Sequence, residues 1–199
     1  IVSSKVYFLI IVRRNFPMEM VFKTAVHDTE LEKIIKLQGI NLRHTQSPEE
    51  EREQGFVTVQ HDLPLLRDMN DAENHVIAMS GDTLAGYALA MVRDFKYRVP
   101  ILTPMFEMLE NIDVGGERIG DSNFLVMGQV CVAREFRGMG VFQGLYRHYF
   151  ELYKRKYDWV ITEVALRNTR SLKAHLNVGF QEIHRYDEPG MEEWVVLRY

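Results

Sequence analysis

The sequence predicts an α/β domain built on a mixed, mostly antiparallel central sheet with flanking helices. Three observations predict it. Apolar runs at 75–79 and 83–92 flank the compact turn signal Ser80-Gly81-Asp82 and read as a hairpin. Later strand-like runs at 124–132 and 158–166 are separated by a helical pattern over 141–153. The 199 residues, 46% hydrophobic and 26% charged, suit one globular domain with a sizeable core.

Each element has its own warrant. Residues 1–17 read as an extension outside the core fold or as an added strand, leaving 18–199 as the domain. Their apolar run, Val6 to Val12, precedes Arg13-Arg14, the reverse of a secretory signal's order. Residues 20–26 form a first strand. Asp28-Thr29 offer an N-cap, Thr29 with Glu32 fits a capping box, and Leu31, Ile34 and Ile35 give the helix an apolar face. Ser47-Pro48-Glu49-Glu50-Glu51 reads as another helix start, with serine capping and acids near the positive dipole end. Asp62 caps a short helix carrying Leu63, Leu65, Leu66 and Met69.

The stretch 93–123 is long and mixed, with a helix expected over 105–112. Its apolar content (Ile101, Leu102, Met105, Phe106, Met108, Leu109) favours an ordered lid, whose side chains read either as core or as pocket wall. In the helix at 141–153, Val141, Leu145, Tyr146, Tyr149 and Phe150 recur at helical spacing, and Lys154-Arg155-Lys156 suit its negative end. Asn168 starts a last helix, which Gly179 closes. Strands at 180–186 and 193–199 flank Glu188-Pro189-Gly190.

Composition removes several classes of function. A net charge of −4 argues against a general nucleic-acid binder. The single cysteine, Cys131, rules out an internal disulfide and a multi-cysteine metal site, and a reducing, cytoplasmic setting is the simplest reading. No run is long enough to span a membrane. His27, His44, His61, His75, His148 and His184 fall on separate elements, so no catalytic metal is expected.

The most informative stretch is Arg137-Gly138-Met139-Gly140, placed between a strand and a helix. Bare backbone N–H groups at a helix start, beside an arginine, suit a phosphate or pyrophosphate. No G-x-x-x-x-G-K-[ST] string exists, so this is not a P-loop. Gly138, Gly140 and Gly144 miss the dinucleotide spacing, since Gln143 stands where the third glycine belongs.

What remains resembles the acetyl-CoA site of the GNAT family of N-acetyltransferases, whose pattern is Q/R-x-x-G-x-G/A. Arg137 and Gly140 match it, and Phe142 replaces the last small residue. A second family pattern, N-x-x-A-x-x-L-Y-x-x-x-G-F, is met by Asn168, Gly179 and Phe180. Ser171 and Ala174 stand as small substitutes, and His175 replaces the tyrosine. The resemblance implies a GNAT-like acyl-CoA N-acyltransferase fold whose sheet splays after the motif strand. Pantetheine amides would pair with backbone around Val130, Cys131 and Val132. The pyrophosphate would sit on the N–H groups of Gly138, Met139, Gly140, Val141 and Phe142, with Arg137 adding a charge-assisted contact. Asn168, with Ser171 nearby, suits a pantetheine amide.

The implied reaction is direct acetyl transfer from acetyl-CoA to a primary amine of a small molecule or peptide. Val132 N–H polarises the carbonyl, and His175 is the candidate general acid. No base is identified: Glu163 also reads as a solvated strand residue, and Gln129, not itself a base, can orient a water. Cys131 reads as a small buried residue rather than a nucleophile. Two alternatives stay open: a non-catalytic acyl-CoA sensor or regulatory module, and a transferase for longer acyl chains. A homodimer is compatible with the sequence.

Overall fold

A computed structural model describes residues 10–12, 19–42, 56–187 and 192–199. The helix start expected at Ser47 and the turn at Glu188-Pro189-Gly190 lie outside the described residues.

Eight described strands form one sheet: β1 (Ile10–Val12), β2 (Met20–Thr24), β3 (Val76–Ser80), β4 (Thr83–Met91), β7 (Phe124–Val132), β8 (Trp159–Ala165), β9 (Gln181–Asp187) and β10 (Glu193–Arg198). Their order is β1-β2-β3-β4-β7-β8-β10-β9. Every neighbouring pair is antiparallel except β7 and β8. That exception follows from chain path, because a parallel pair needs a crossover and the helix at 141–153 supplies it. A separate two-stranded ribbon, β5 (Asp113–Val114) and β6 (Glu117–Arg118), turns through Gly115 and Gly116 at φ 67° and 92°.

The five described helices are α1 (Asp28–Asn41), α2 (Leu63–Ala72), α3 (Thr103–Leu109), α4 (Val141–Tyr153) and α5 (Thr169–Asn177). Strand alternation sends Ala88 and Ala90 to one face of the sheet and Tyr87 and Leu89 to the other. The first face packs against Val141, Leu145 and Tyr149 of α4; the second packs against Leu31, Ile34 and Leu37 of α1 and Leu66 of α2. Gly144 lets α4 approach closely: a Cβ there would stand 2.1 Å from the Phe22 ring.

Helix α1 begins differently from the sequence reading. Glu30, not Glu32, closes the first turn, accepting from Val26 N–H (2.7 Å) and His27 N–H (3.0 Å) while pairing with Lys23. The lysine on β2 holds that carboxylate over the turn, which moves the cap one residue earlier than Asp28. Asp62 behaves as expected, accepting from Leu65 N–H (2.8 Å) with Pro64 in the first turn.

The segment 93–123 is ordered and packs on the sheet. Phe106, Leu109, Ile112 and Ile119 are buried with Phe124, Val126 and Ile161. Most of its described apolar side chains are therefore core, and among the described residues Leu102 and Met105 reach the cavity described below.

Candidate active site

Two irregularities in the sheet create the site. The register of β4 on β7 shifts between Leu89↔Gln129 and Ala90↔Met127, which leaves Gly128 as an extra residue. Such a bulge bends its strand and locally interrupts the ladder. On its other edge β7 pairs with β8 only from Phe124↔Trp159 to Val126↔Ile161. Beyond this point β8 pairs only with β10, and the two central strands part. The Thr162 hydroxyl bridges to Met127 O (3.0 Å) where the backbone ladder ends.

The direction of the exposed amides follows from the ladder. Ala133 N–H donates to Ala85 O on the β4 side (2.9 Å). Backbone groups alternate edges along a strand, so the amides of Val132 and Val130 face the gap. Arg137 Nε donates to Val132 O (3.0 Å) and fixes the strand's end.

The gap opens into a cleft of about 850 Å³ that runs over the glycine turn. Gly138 and Gly140 adopt φ 77° and 82°, a left-handed geometry that costs L-residues about 1–2 kcal/mol. A Cβ on either would meet nothing within 4 Å, so the space above both is open. Gly144 N–H is the first to bond back into α4, to Gly140 O (3.0 Å), and the amides of Val141, Phe142 and Gln143 precede it. Arg147 and Arg170 also line this cleft. Donor amides, a helix start and arginines at its mouth fit a pyrophosphate.

Arg137 itself is more occupied than the sequence suggested. Besides Val132 O it donates to Asn41 Oδ1 (2.8 Å), tying the turn to α1. Burial, with Arg170 and Arg134 nearby, holds its pKa below the usual arginine value. Asn168 is buried and caps α5 by accepting from Ser171 N–H (3.3 Å). Its side-chain amide donates to no described residue, and Asn168 and Ser171 line both the cleft and the adjoining cavity. Cys131 is buried and its thiol is pushed up to about 12, chiefly by burial, so thiolate chemistry is suppressed.

Phe142 and His175 are the two departures from the family patterns, and they touch. Their rings meet edge to face at 5.2 Å, and Tyr146 and Phe180 pack against His175 at 5.4 Å each. The larger residue at 142 fills space beside an imidazole smaller than a tyrosine side chain.

That packing also changes the reading of His175. Its Nδ1 stands 2.8 Å from Ser171 O, and a carbonyl can only accept, so Nδ1 carries the proton. Burial drives its pKa down to about 4. At neutral pH the ring is therefore neutral and Nε2 offers a lone pair, whereas a general acid must offer a proton there.

A buried polar chain, absent from the sequence reading, lies on the α1 side. Gln129 Nε2 donates to Val59 O (2.8 Å), and its Oε1 accepts from Tyr87 OH (2.5 Å) and Gln38 Nε2 (2.9 Å). Gln38 Oε1 accepts from His61 N–H (3.0 Å), and its Nε2 lies 3.0 Å from His61 Nδ1. Gln129 is thus committed to this chain rather than to orienting a water through its carbonyl. Glu163 accepts from Tyr186 OH (2.6 Å) beside the same gap. Gln38 continues the stripe of Leu31 and Ile34 at helical spacing, and a glutamine on an apolar stripe is the signal that marks it.

Among the described residues no group of three or more His, Cys, Asp or Glu side chains could hold a metal. No described helix is long and apolar enough to cross a membrane.

Comparison with known proteins agrees with this fold. The acetyltransferase (GNAT) family pattern matches residues 37–180, well over half of the chain. Among solved structures, the ribosomal-protein-S18-alanine N-acetyltransferase from Escherichia coli is 13% identical, with a TM-score of 0.57 over 90% of this chain and 92% of that one. The NatC complex bound to Gag peptide and CoA is 15% identical, with a TM-score of 0.61 over 91% and 98%. The structure of yncA from Salmonella typhimurium with its cofactor acetyl-CoA is 12% identical, with a TM-score of 0.57 over 90% and 92%. No curated protein sequence matches the chain. The family match, over a fold with a split sheet and a glycine turn, sets the class of the protein as an acetyltransferase. The chain belongs to the GNAT family of acetyltransferases.

Proposed function

We propose that this protein is an acetyl-CoA-dependent N-acetyltransferase acting on a primary amine of a small molecule or peptide, with residues 18–199 as its single domain and β1 as a strand added to the edge of its sheet. The observation that carries the reading is the parted edge of β7, where Val130 and Val132 amides face a cleft floored by Gly138 and Gly140. Pantetheine amides would add to that edge as a short strand does. Amides 138–142 would hold the pyrophosphate, and the cations at the cleft mouth would favour the ligand's negative charge. Asn168, through its free side-chain amide, would take a pantetheine carbonyl.

In the transfer, Val132 N–H would polarise the thioester carbonyl. The C–N bond forms as the C–S bond breaks, and the amine's proton ends on the CoA sulfur. With His175 neutral and Nε2 unprotonated, this proton need not come from the imidazole; His175 instead receives an N–H of the incoming amine. Two of the structural relatives act on, or are bound to, a protein or peptide, which favours an acceptor of that kind. A cytoplasmic setting, the absence of a metal requirement and an acceptor other than nucleic acid belong to the same reading.

The test is a thermal-shift titration with acetyl-CoA, followed by thiol release across a panel of amines. Stabilisation with acceptor-dependent thiol release is expected. Stabilisation without turnover on any amine would assign the protein to acyl-CoA sensing, and no stabilisation would end the cofactor reading.

A further inference from the structure

A second, small cavity of about 100 Å³ adjoins the cleft between the parted strands. His61 and His175 both line it, His61 from the α1 side of the sheet and His175 from α5. They are 5% and 2% exposed, and Nε2 of each is buried without a hydrogen-bond partner among the described residues. Buried polar atoms are almost always satisfied by protein, water or ligand, so two orphans on one cavity are placed to meet a ligand that enters it.

Their tautomers follow from fixed backbone groups. Val59 O can only accept, so the Gln129 atom bonded to it is the NH₂, and Oε1 faces Gln38. His61 N–H can only donate, so it meets Gln38 Oε1, and Gln38 Nε2 is left to face Gln129 Oε1 and His61 Nδ1. Two independent anchors thus give the same orientation. Gln38 Nε2 donates to His61 Nδ1, which leaves the proton of a neutral His61 on Nε2. His175 is the mirror case: Ser171 O takes its Nδ1–H, and Nε2 is a bare acceptor. One cavity therefore presents one unsatisfied donor and one unsatisfied acceptor.

We propose that His61 and His175 read the acceptor as a complementary pair, His61 Nε2–H donating to a carbonyl oxygen and His175 Nε2 accepting from the adjacent amine. The substrate class is an α-amino carbonyl compound, that is, an amino-acid amide or a peptide N-terminus. The assignment rests on the acetyltransferase reading above. Amine chemistry points the same way. Burial lowers both imidazoles to about 4, so neither is a strong base at neutral pH. An α-amino group, with a pKa of about 7.7–8.0, is neutral in a useful fraction near pH 7.5, whereas an alkylamine near 10.4 is not.

The experiment compares a short peptide with a free N-terminus against a 2,2-difluoroethylamine, which keeps a weakly basic amine but lacks the carbonyl. Thiol release gives kcat/KM for each. Wild type is expected to prefer the peptide by at least about tenfold, and His61→Ala to bring that ratio to within about threefold. His61→Gln, which keeps an N–H donor, restores part of it. Equal rates in wild type, or a preference that survives His61→Ala, overturns the pair while leaving acetyl transfer standing. Failure of acetyl-CoA to stabilise the wild type overturns both. A readout independent of turnover is the ¹⁵N–¹H spectrum of the imidazoles in the wild-type protein. His61 should appear as the Nε2–H tautomer and His175 as the Nδ1–H tautomer, and the reverse for either one contradicts the proposal.

Discussion

The glycine turn at 138–142 and the small cavity between β7 and β8 adjoin, yet they are built on opposite principles. The turn is exposed, contiguous in sequence and made almost wholly of backbone: two glycines at positive φ with open space above them. The cavity draws polar atoms from separate segments, through His61, Gln129 and His175, and Gln38 stands behind it, holding His61 and Gln129. Each of these four side chains is buried. A ligand common to a large family can be met by backbone, which any sequence supplies. An acceptor peculiar to one protein must be met by side chains, and those are assembled by the fold.

The difference can be broken open by experiments of decreasing size. The largest effect is expected from acid, which acts on the buried side. His61, His75 and His175 have pKa values lowered by burial to about 4, 3 and 4. Unfolded histidine titrates near 6.5, so below that pH the unfolded chain binds the extra protons. Stability is complete above about pH 6.5 and falls as pH drops toward 4, by up to about 1.4 kcal/mol per pH unit for each group. Chemical denaturation from pH 7.5 to 4.5 measures the slope, and His61→Gln should make it shallower.

Next is Gly140→Val. A β-branched residue at φ 82° is strained and places methyl groups in the open space above the turn. Acetyl-CoA affinity should fall about 100-fold, or about 2.7 kcal/mol, read by calorimetric titration. Gly144→Ala is the control within the same helix start. Its Cβ would strike the buried Phe22 ring, so it should cost about 1–3 kcal/mol of folding stability with little change in acetyl-CoA affinity per folded molecule. The smallest effect is expected from Arg147→Ala, an exposed cation at the cleft mouth: a weakening of acetyl-CoA binding of about two- to fivefold that fades at high salt.

The contrast also explains what could be read in advance. The hairpin, the motif strand and both flanking helices were legible because periodicity and turn residues are local signals, as in Ser80-Gly81-Asp82 or the α4 stripe. Arg137 to Phe142 was legible because its chemistry sits on consecutive residues. The first turn of α1 is not legible in sequence because Lys23, on another element, holds Glu30 over it, which sets the capping box two residues before Thr29 and Glu32. The contact of Phe142 with His175 could not be read because 33 positions separate two residues that only the fold brings edge to face. In sequence His61 is one of several scattered histidines. Its importance depends on Gln38, 23 residues away, taking its Nδ1 and leaving Nε2 for the cavity.

The most direct test of this division is a pair of constants measured on a pair of variants. Acetyl-CoA Kd and acceptor KM are determined for wild type, Gly140→Val and His61→Ala. The account predicts that Gly140→Val raises Kd about 100-fold and that His61→Ala acts mainly on the peptide KM. If His61→Ala instead weakens acetyl-CoA as strongly as Gly140→Val does, the cavity is part of the cofactor site, and the separation of backbone-built and side-chain-built halves is wrong.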